Sequence, residues 1–223
     1  MTGNGMTDDA VLDRLRDARV VPVITIDDPT DAVPLARALA AGGLACVEIT
    51  FRTPRAAEAL RRICAEVPEI VAGAGTVLTP AQVRTARDAG ARFVVAPGLS
   101  ARVVNECKER ALPVFPGIAT PTEIEAALEL GLDTLKFFPA EPMGGLGYLK
   151  AIAAPYVDVR FMPTGGISLS NVASYLAFSG VVACGGSWMA PSDWIAAKQF
   201  DRIRDESRRA ADVAKGRSPG VIV

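Results

Sequence analysis

Two side chains stand where packing alone would not put them. Lys136 lies in the stretch DTLKFFPA (133–140), among Leu135, Phe137 and Phe138. Glu48 lies in the equally apolar LACVEIT (44–50). Lysine is rarely buried without a partner, because taking an ammonium out of water is costly. An amine that can shed its proton attacks carbonyl carbon and forms a Schiff base, and a carboxylate beside it can carry protons. The plainer alternative is a buried ion pair that serves structure only. Composition weighs on that choice. Of the 24 basic residues, only Lys108, Lys136, Lys150, Lys198 and Lys215 are lysines. Arginine is the better partner for a buried carboxylate, yet it can neither lose its proton nor form a Schiff base. The chain has no histidine, so Ser-His-Asp and Cys-His arrangements and histidine metal sites are excluded.

Something must hold an amine and an acid together. Short apolar runs recur along the chain: 20–26, 44–50, 69–74, 92–96, 112–117, 133–138, 159–164 and 180–185. Between them lie alanine- and leucine-rich segments of helical period, such as PRAAEALRRICAEV and PTEIEAALELG. Gly43, Gly90 and Gly131 fall where helices should stop. Thr7-Asp8-Asp9 would cap a short first helix with Val11, Leu12 and Leu15 on one face. Eight strand–helix units predict an α/β protein, a closed (β/α)8 TIM barrel with an N-terminal helix. An open doubly wound sheet is the alternative. At 223 residues with 50% hydrophobic and 22% charged residues, one small domain over 1–223 is expected, with 1–6 and about 215–223 loosely ordered.

The net charge is −1 and no run of five basic residues occurs, so neither nucleic acid nor an anionic membrane is an expected partner. The start MTGNGMTDD lacks the pattern of a signal peptide. No charged residue occurs from Phe161 to Ser192, but glycines and Asn171 break that stretch, and no 18-residue apolar run spans a membrane. A buried or subunit-facing segment is expected there, and NVASYLAFSG (171–180) reads as an uncharged outer helix at a subunit contact. Cys46, Cys64, Cys107 and Cys184 lack metal-site spacing; reduced, mostly buried thiols and a cytoplasmic location are predicted.

In a parallel barrel, chemistry collects at the carboxyl ends of the strands. The second run ends in Glu48-Ile49-Thr50-Phe51-Arg52-Thr53, and the third leads into Gly73-Ala74-Gly75-Thr76. The fourth ends at Pro97-Gly98, the sixth at Phe138-Pro139. The last two end in Thr164-Gly165-Gly166 and Gly185-Gly186-Ser187. Alternation puts Cys46, Glu48 and Thr50 on one face, and Thr134, Lys136 and Phe138 on one face. If both faces point inward, amine and acid converge. Paired glycine-rich ends after the last two strands form the usual phosphate site of such barrels. Humbler readings stay open: Arg52 as a solvated charge, Thr76 and Ser187 as helix caps, Thr164 as turn chemistry, Pro97 and Phe138 as core or turn residues.

Taken together, E-I-T-F-R-T, G-A-G-T-V, K-F-F-P-A, P-T-G-G-I and G-G-S-W, in register over roughly residues 10 to 200, resemble the 2-dehydro-3-deoxy-phosphogluconate / 4-hydroxy-2-oxoglutarate (KDPG/KHG) aldolases. The resemblance implies a trimeric barrel lyase with a lysine Schiff base and no metal or cofactor. It implies Lys136 as nucleophile and Glu48 as acid/base. It implies Arg52 and Thr76 on the pyruvyl carboxylate, Phe138 and Pro97 as walls of that end, and Thr164 near the hydroxyl at carbon 4. Gly165, Gly166, Gly186 and Ser187 would bind the phosphate of the phosphorylated keto-acid substrate. Phe51 departs from the leucine of the family pattern, on the face opposite Thr50; Arg52 argues against the related phosphogalactonate aldolases. A phosphosugar isomerase or epimerase, or a phosphosugar-binding protein without activity, are the competing functions. Neither gives a use to a buried strand lysine.

Overall fold

A computed structural model describes residues 8–217. Residues 1–7 and 218–223, which carry the expected loose start, part of the expected N-terminal cap and most of the expected loose tail, lie outside the described residues.

Strands and helices alternate. Helix α1 (Asp8–Ala18) leads into β1 (Val20–Ile24), a 3-10 turn (Pro29–Asp31), α2 (Ala32–Ala41), β2 (Cys46–Thr50), α3 (Ala56–Glu66) and β3 (Val71–Gly75). Next come α4 (Pro80–Asp88), β4 (Val94–Val95), α5 (Ala101–Glu109), β5 (Val114–Phe115), β6 (Gly117–Ile118), α6 (Pro121–Glu129) and β7 (Thr134–Phe137). The chain continues through α7 (Gly145–Ala153), β8 (Arg160–Pro163), α8 (Val172–Leu176), β9 (Cys184–Gly186), α9 (Ser192–Ala196) and α10 (Phe200–Ala214). Each apolar run therefore yields a strand, and every pairing is parallel. The strands fall into two sheets, ordered β5-β4-β3-β2-β1-β9 and β6-β7-β8.

The break between the sheets comes at Pro116, which has no N–H to give to a ladder. Its carbonyl still accepts from the Lys136 N–H at 2.9 Å. On the other side, β8 and the β9 region meet through two isolated parallel bridges, Phe161 with Val181 and Thr164 with Gly185.

Local sequence explains the helix ends. Thr79 caps α4 and Thr120 caps α6, each in a capping box with Gln82 or Glu123 and each followed by a proline at the first helical position. Helices α2, α4 and α6 stop at Gly43, Gly90 and Gly131, with φ of +90°, +94° and +65°. Beyond each glycine, the N–H of Leu44, Ala91 or Leu132 reaches back to the carbonyl of Leu39, Ala86 or Ala127 at 3.0–3.1 Å. That closure needs a left-handed residue, which glycine supplies without strain.

Alternation along the strands sorts side chains into two cores. One set, including Ile24, Val47, Ile49, Leu135, Phe137 and Phe161, packs against the helices. The other, including Val21, Cys46, Phe93, Val95, Phe115 and Met162, packs together on the opposite side with Val11 and Leu15 of α1. Helix α1 thus covers the amino-terminal end of this inner cluster, and the Cys46 thiol lies 3.6 Å from the Arg14 carbonyl. Glu48 is one pleat beyond Cys46 toward the carboxyl ends.

The expected uncharged outer helix is shorter than the sequence implies. Helix α8 spans five residues, and Val172, Tyr175 and Leu176 are buried within the chain itself. Arg19 donates to the Leu176 carbonyl at 2.6 Å. Internal burial therefore accounts for much of the absent charge in this region.

Candidate active site

Lys136 is carried by β7 and Glu48 by β2. Lys136 Nζ lies 3.7 Å from Glu48 Oε1, and their side chains are only 7% and 3% exposed. The register explains the convergence: Gly117 and Met162 flank Lys136, while Val23 and Gly73 flank Glu48. Space for the carboxylate comes from Gly75, where a Cβ would sit 2.0 Å from Glu48 Oε1. The sequence reading put Leu135, Phe137 and Phe138 around the amine. Leu135 and Phe137 instead face the helix layer. On the amine's own side stands the Phe138 ring, its centroid 5.1 Å from Nζ.

The pair is poorly made for stability. At 3.7 Å the contact is longer than a hydrogen bond, and among the described residues buried Glu48 Oε1 has no hydrogen-bond partner. A buried acceptor left unmatched costs about 1–3 kcal/mol. A structural ion pair would satisfy that oxygen, so the arrangement favours chemistry over the structural alternative.

A cavity of about 410 Å³ opens at the carboxyl ends of the strands. Seven of the residues singled out in the sequence line it: Arg52, Phe138, Thr164, Gly165, Gly166, Gly186 and Ser187. Lys136 and Glu48 are not part of the lining; Lys136 reaches it through Phe138, and Glu48 lies one pleat below the lining residue Thr50. Arg52 is exposed, and its Nε donates to Thr76 Oγ1 at 3.3 Å, which ties Thr76 to the rim. The cap reading of Thr76 fails, since Thr79 caps α4 and Thr76 has φ +56°. Ser187 caps no helix either: Pro191 holds the N-cap position of α9. Thr164 is buried, and its hydroxyl donates to the Met162 carbonyl at 3.4 Å. Pro97 is half-buried and outside the lining. A Cβ on Gly117 would lie 2.1 Å from its carbonyl oxygen, so Pro97 sits against the strand beside Lys136.

Sequence reasoning passed over Val23, Thr25, Ile167 and Ser192 and gave no role to Thr50, which it placed on the face of Glu48; all five share the lining. Thr25 and Thr50 face each other with hydroxyl oxygens 2.9 Å apart. The strand-end rule, applied to the first apolar run as to the others, would have picked out Thr25.

The arrangement is a buried amine with an unmatched acid, beneath a polar cavity with two glycine-rich edges. It matches known proteins closely. The sequence profile of KDPG and KHG aldolases matches residues 11–205. The 2-dehydro-3-deoxy-phosphogluconate aldolase of Treponema pallidum is 50% identical over 203 residues, which is 91% of this chain and 97% of that protein. A crystal structure of KDPG aldolase from Legionella pneumophila, with pyruvate captured at low pH as a covalent carbinolamine intermediate, superposes with a TM-score of 0.86 at 38% identity, covering 91% of this chain and 97% of that one. The 2-keto-3-deoxy-6-phosphogluconate aldolase of Zymomonas mobilis with 3-phosphoglycerate gives a TM-score of 0.84 at 39% identity, covering 95% and 98%. With the profile spanning most of the chain and the paired lysine and glutamate in place, this chain belongs to the KDPG and KHG aldolase family.

Proposed function

We propose that the protein is a Schiff-base aldolase that cleaves 2-dehydro-3-deoxy-6-phosphogluconate to pyruvate and glyceraldehyde 3-phosphate, with Lys136 as nucleophile and Glu48 as acid/base. The observation that carries this reading is the buried Lys136 amine 3.7 Å from a Glu48 oxygen that no hydrogen bond satisfies among the described residues. The carbinolamine held by the Legionella relative supports the same chemistry.

The Lys136 amine attacks carbon 2 of the substrate, and the resulting carbinolamine loses water to give an iminium. That cation draws electrons toward carbon 2. Glu48, directly or through a water, takes the proton from the hydroxyl on carbon 4. The bond between carbons 3 and 4 then breaks, leaving an aldehyde on one side and an enamine on the other. Protonation of the enamine and hydrolysis of the imine release pyruvate and restore the amine. The iminium itself polarises the carbon that a Lewis acid would otherwise polarise.

Arg52 and Thr76, already joined by a hydrogen bond, would hold the pyruvyl carboxylate. Phe138 and Pro97 would wall that end, and Thr164 would stand near carbon 4. Gly165, Gly166, Gly186 and Ser187 would receive the phosphate through backbone N–H groups and one hydroxyl. Cleavage of 4-hydroxy-2-oxoglutarate to pyruvate and glyoxylate is a second activity of the same site, and comparing rates on the two substrates measures the preference.

The two sheets are read as one closed eight-stranded barrel. In this reading β5 and β6 count as one strand interrupted at Pro116, and the two isolated bridges between β8 and the β9 region support closure of the ring. The whole chain is taken as one domain of a cytoplasmic homotrimer.

The test adds pyruvate, reduces with borohydride and weighs the protein. One reduced pyruvyl group per chain, located at Lys136 and absent in Lys136→Ala, is expected. Unmodified wild-type protein, or turnover surviving in Lys136→Ala, overturns the proposal.

A further inference from the structure

The hydroxyls of Thr25 and Thr50 are 2.9 Å apart and both residues line the cavity. Two hydroxyls carry two protons. One bridges the pair. Among the described residues, no other hydrogen bond engages either hydroxyl. Thr50 is buried and Thr25 half-buried, so the second proton needs a partner, and the cavity is where one can sit. The other lining hydroxyls have different positions or partners: Thr164 is bonded to Met162, Ser187 stands at a glycine-rich edge, and Ser192 is exposed at the start of α9.

The sheet order fixes which part of a ligand this pair meets. Strand β1 lies between β2, which carries Glu48, and β9, which ends at Gly186. Thr25 is the first residue past β1, and Thr50 ends β2. A ligand with its keto end at Lys136 and Glu48 and its anionic end at Gly186 and Ser187 must cross the end of β1. We propose that the Thr25–Thr50 hydroxyl pair is a specificity element that hydrogen-bonds the substrate hydroxyl on carbon 5, between the bond that is cleaved and the phosphate. This inference rests on the aldolase reading of the same cavity. It names the feature of the acceptor aldehyde that the site reads: a hydroxyl on the carbon next to the carbonyl.

The synthetic direction tests it. Pyruvate is condensed with glyceraldehyde 3-phosphate and, separately, with 3-oxopropyl phosphate, which lacks only that hydroxyl. The readout is the ratio of kcat/KM for the two aldehydes. Because both are measured on one preparation, partial unfolding of a variant cancels. Wild-type protein should prefer the hydroxylated aldehyde by about tenfold, as expected for one hydrogen bond. Thr25→Val and Thr50→Val should each bring the ratio toward one, while Thr25→Ser, which keeps the hydroxyl, should restore it. A ratio unchanged in both valine variants, or lost equally in the serine variant, overturns the inference. Borohydride trapping with pyruvate separates the two levels. A wild-type protein that traps pyruvate but shows a ratio near one sinks this inference alone; one that traps none sinks the aldolase reading beneath it.

Discussion

Glu48 and Lys136 should fail in different ways when replaced. The Glu48→Gln variant keeps the shape of the side chain and the amine opposite it, so pyruvate should still be trapped on Lys136. Cleavage should slow by about 10²-fold or more, the usual size of a lost general acid/base. Loss of trapping and turnover together would make Glu48 a support for the lysine and not a proton carrier. Replacing Lys136 by arginine keeps a cation on the carboxylate's side of β7 but removes the nucleophile, so trapping should vanish while the melting temperature changes less than in Lys136→Ala, measured by calorimetry. At this scale the sequence was legible where a residue type was out of place. A lysine and a glutamate in apolar strands carry their own signal. Thr25 and Thr50 are marked only by their strand-end positions: threonine is an ordinary strand residue, and their pairing exists only once β1 and β2 are in register.

Glycines and caps set the elements that hold the site. Gly75 ends β3 with Glu48 Oε1 where its Cβ would be. In Gly75→Ala the carboxylate must move, and a displacement of about 1 Å at a reacting group can cost about 10²-fold in rate. The loss should appear in turnover, with borohydride trapping retained. Thr120→Ala is the contrasting case. It removes the hydroxyl that accepts from the Glu123 N–H at the start of α6 and leaves the backbone N–H of residue 120 to Glu123, and it should cost about 1 kcal/mol in chemical denaturation with kcat intact. Strand positions were readable because each apolar run forms a strand, but their lengths were not. The fourth run, 92–96, supplies a strand of only Val94–Val95, and the fifth is divided at Pro116. Hydrophobic runs report burial, whereas ladder membership depends on the neighbour's register and on which residues can donate. The segment 171–180 shows the same limit: lack of charge signals burial, not what does the burying, and here α8 is largely covered by its own chain.

For the whole molecule, light scattering at micromolar concentration should give three times the 23.3 kDa chain mass; a mass of one chain would remove the proposed trimer. A separate property comes from the four thiols, all free. Burial pushes Cys46, Cys107 and Cys184 up to about 12 and Cys64 to about 11, because a thiolate is poorly solvated inside the cores. In the unfolded chain these thiols ionise near the ordinary value of about 8.5. Between about pH 9 and the folded values, the native state therefore binds more protons than the unfolded state. Stability must fall as pH rises through that window, and the thiols contribute nothing to pH dependence below about 8. Cys184, buried at the start of β9, is the cleanest probe. Cys184→Ala leaves a small cavity whose cost is the same at every pH. The variant should then be less stable than wild type at pH 7.5, and the gap should narrow by pH 10.5, as read from urea unfolding midpoints. Comparing slopes between the two proteins cancels the lysines and tyrosines that titrate in the same range. A gap that stays constant from pH 7.5 to 10.5 would mean that the Cys184 thiol ionises as freely in the folded chain as in the unfolded one, against its burial.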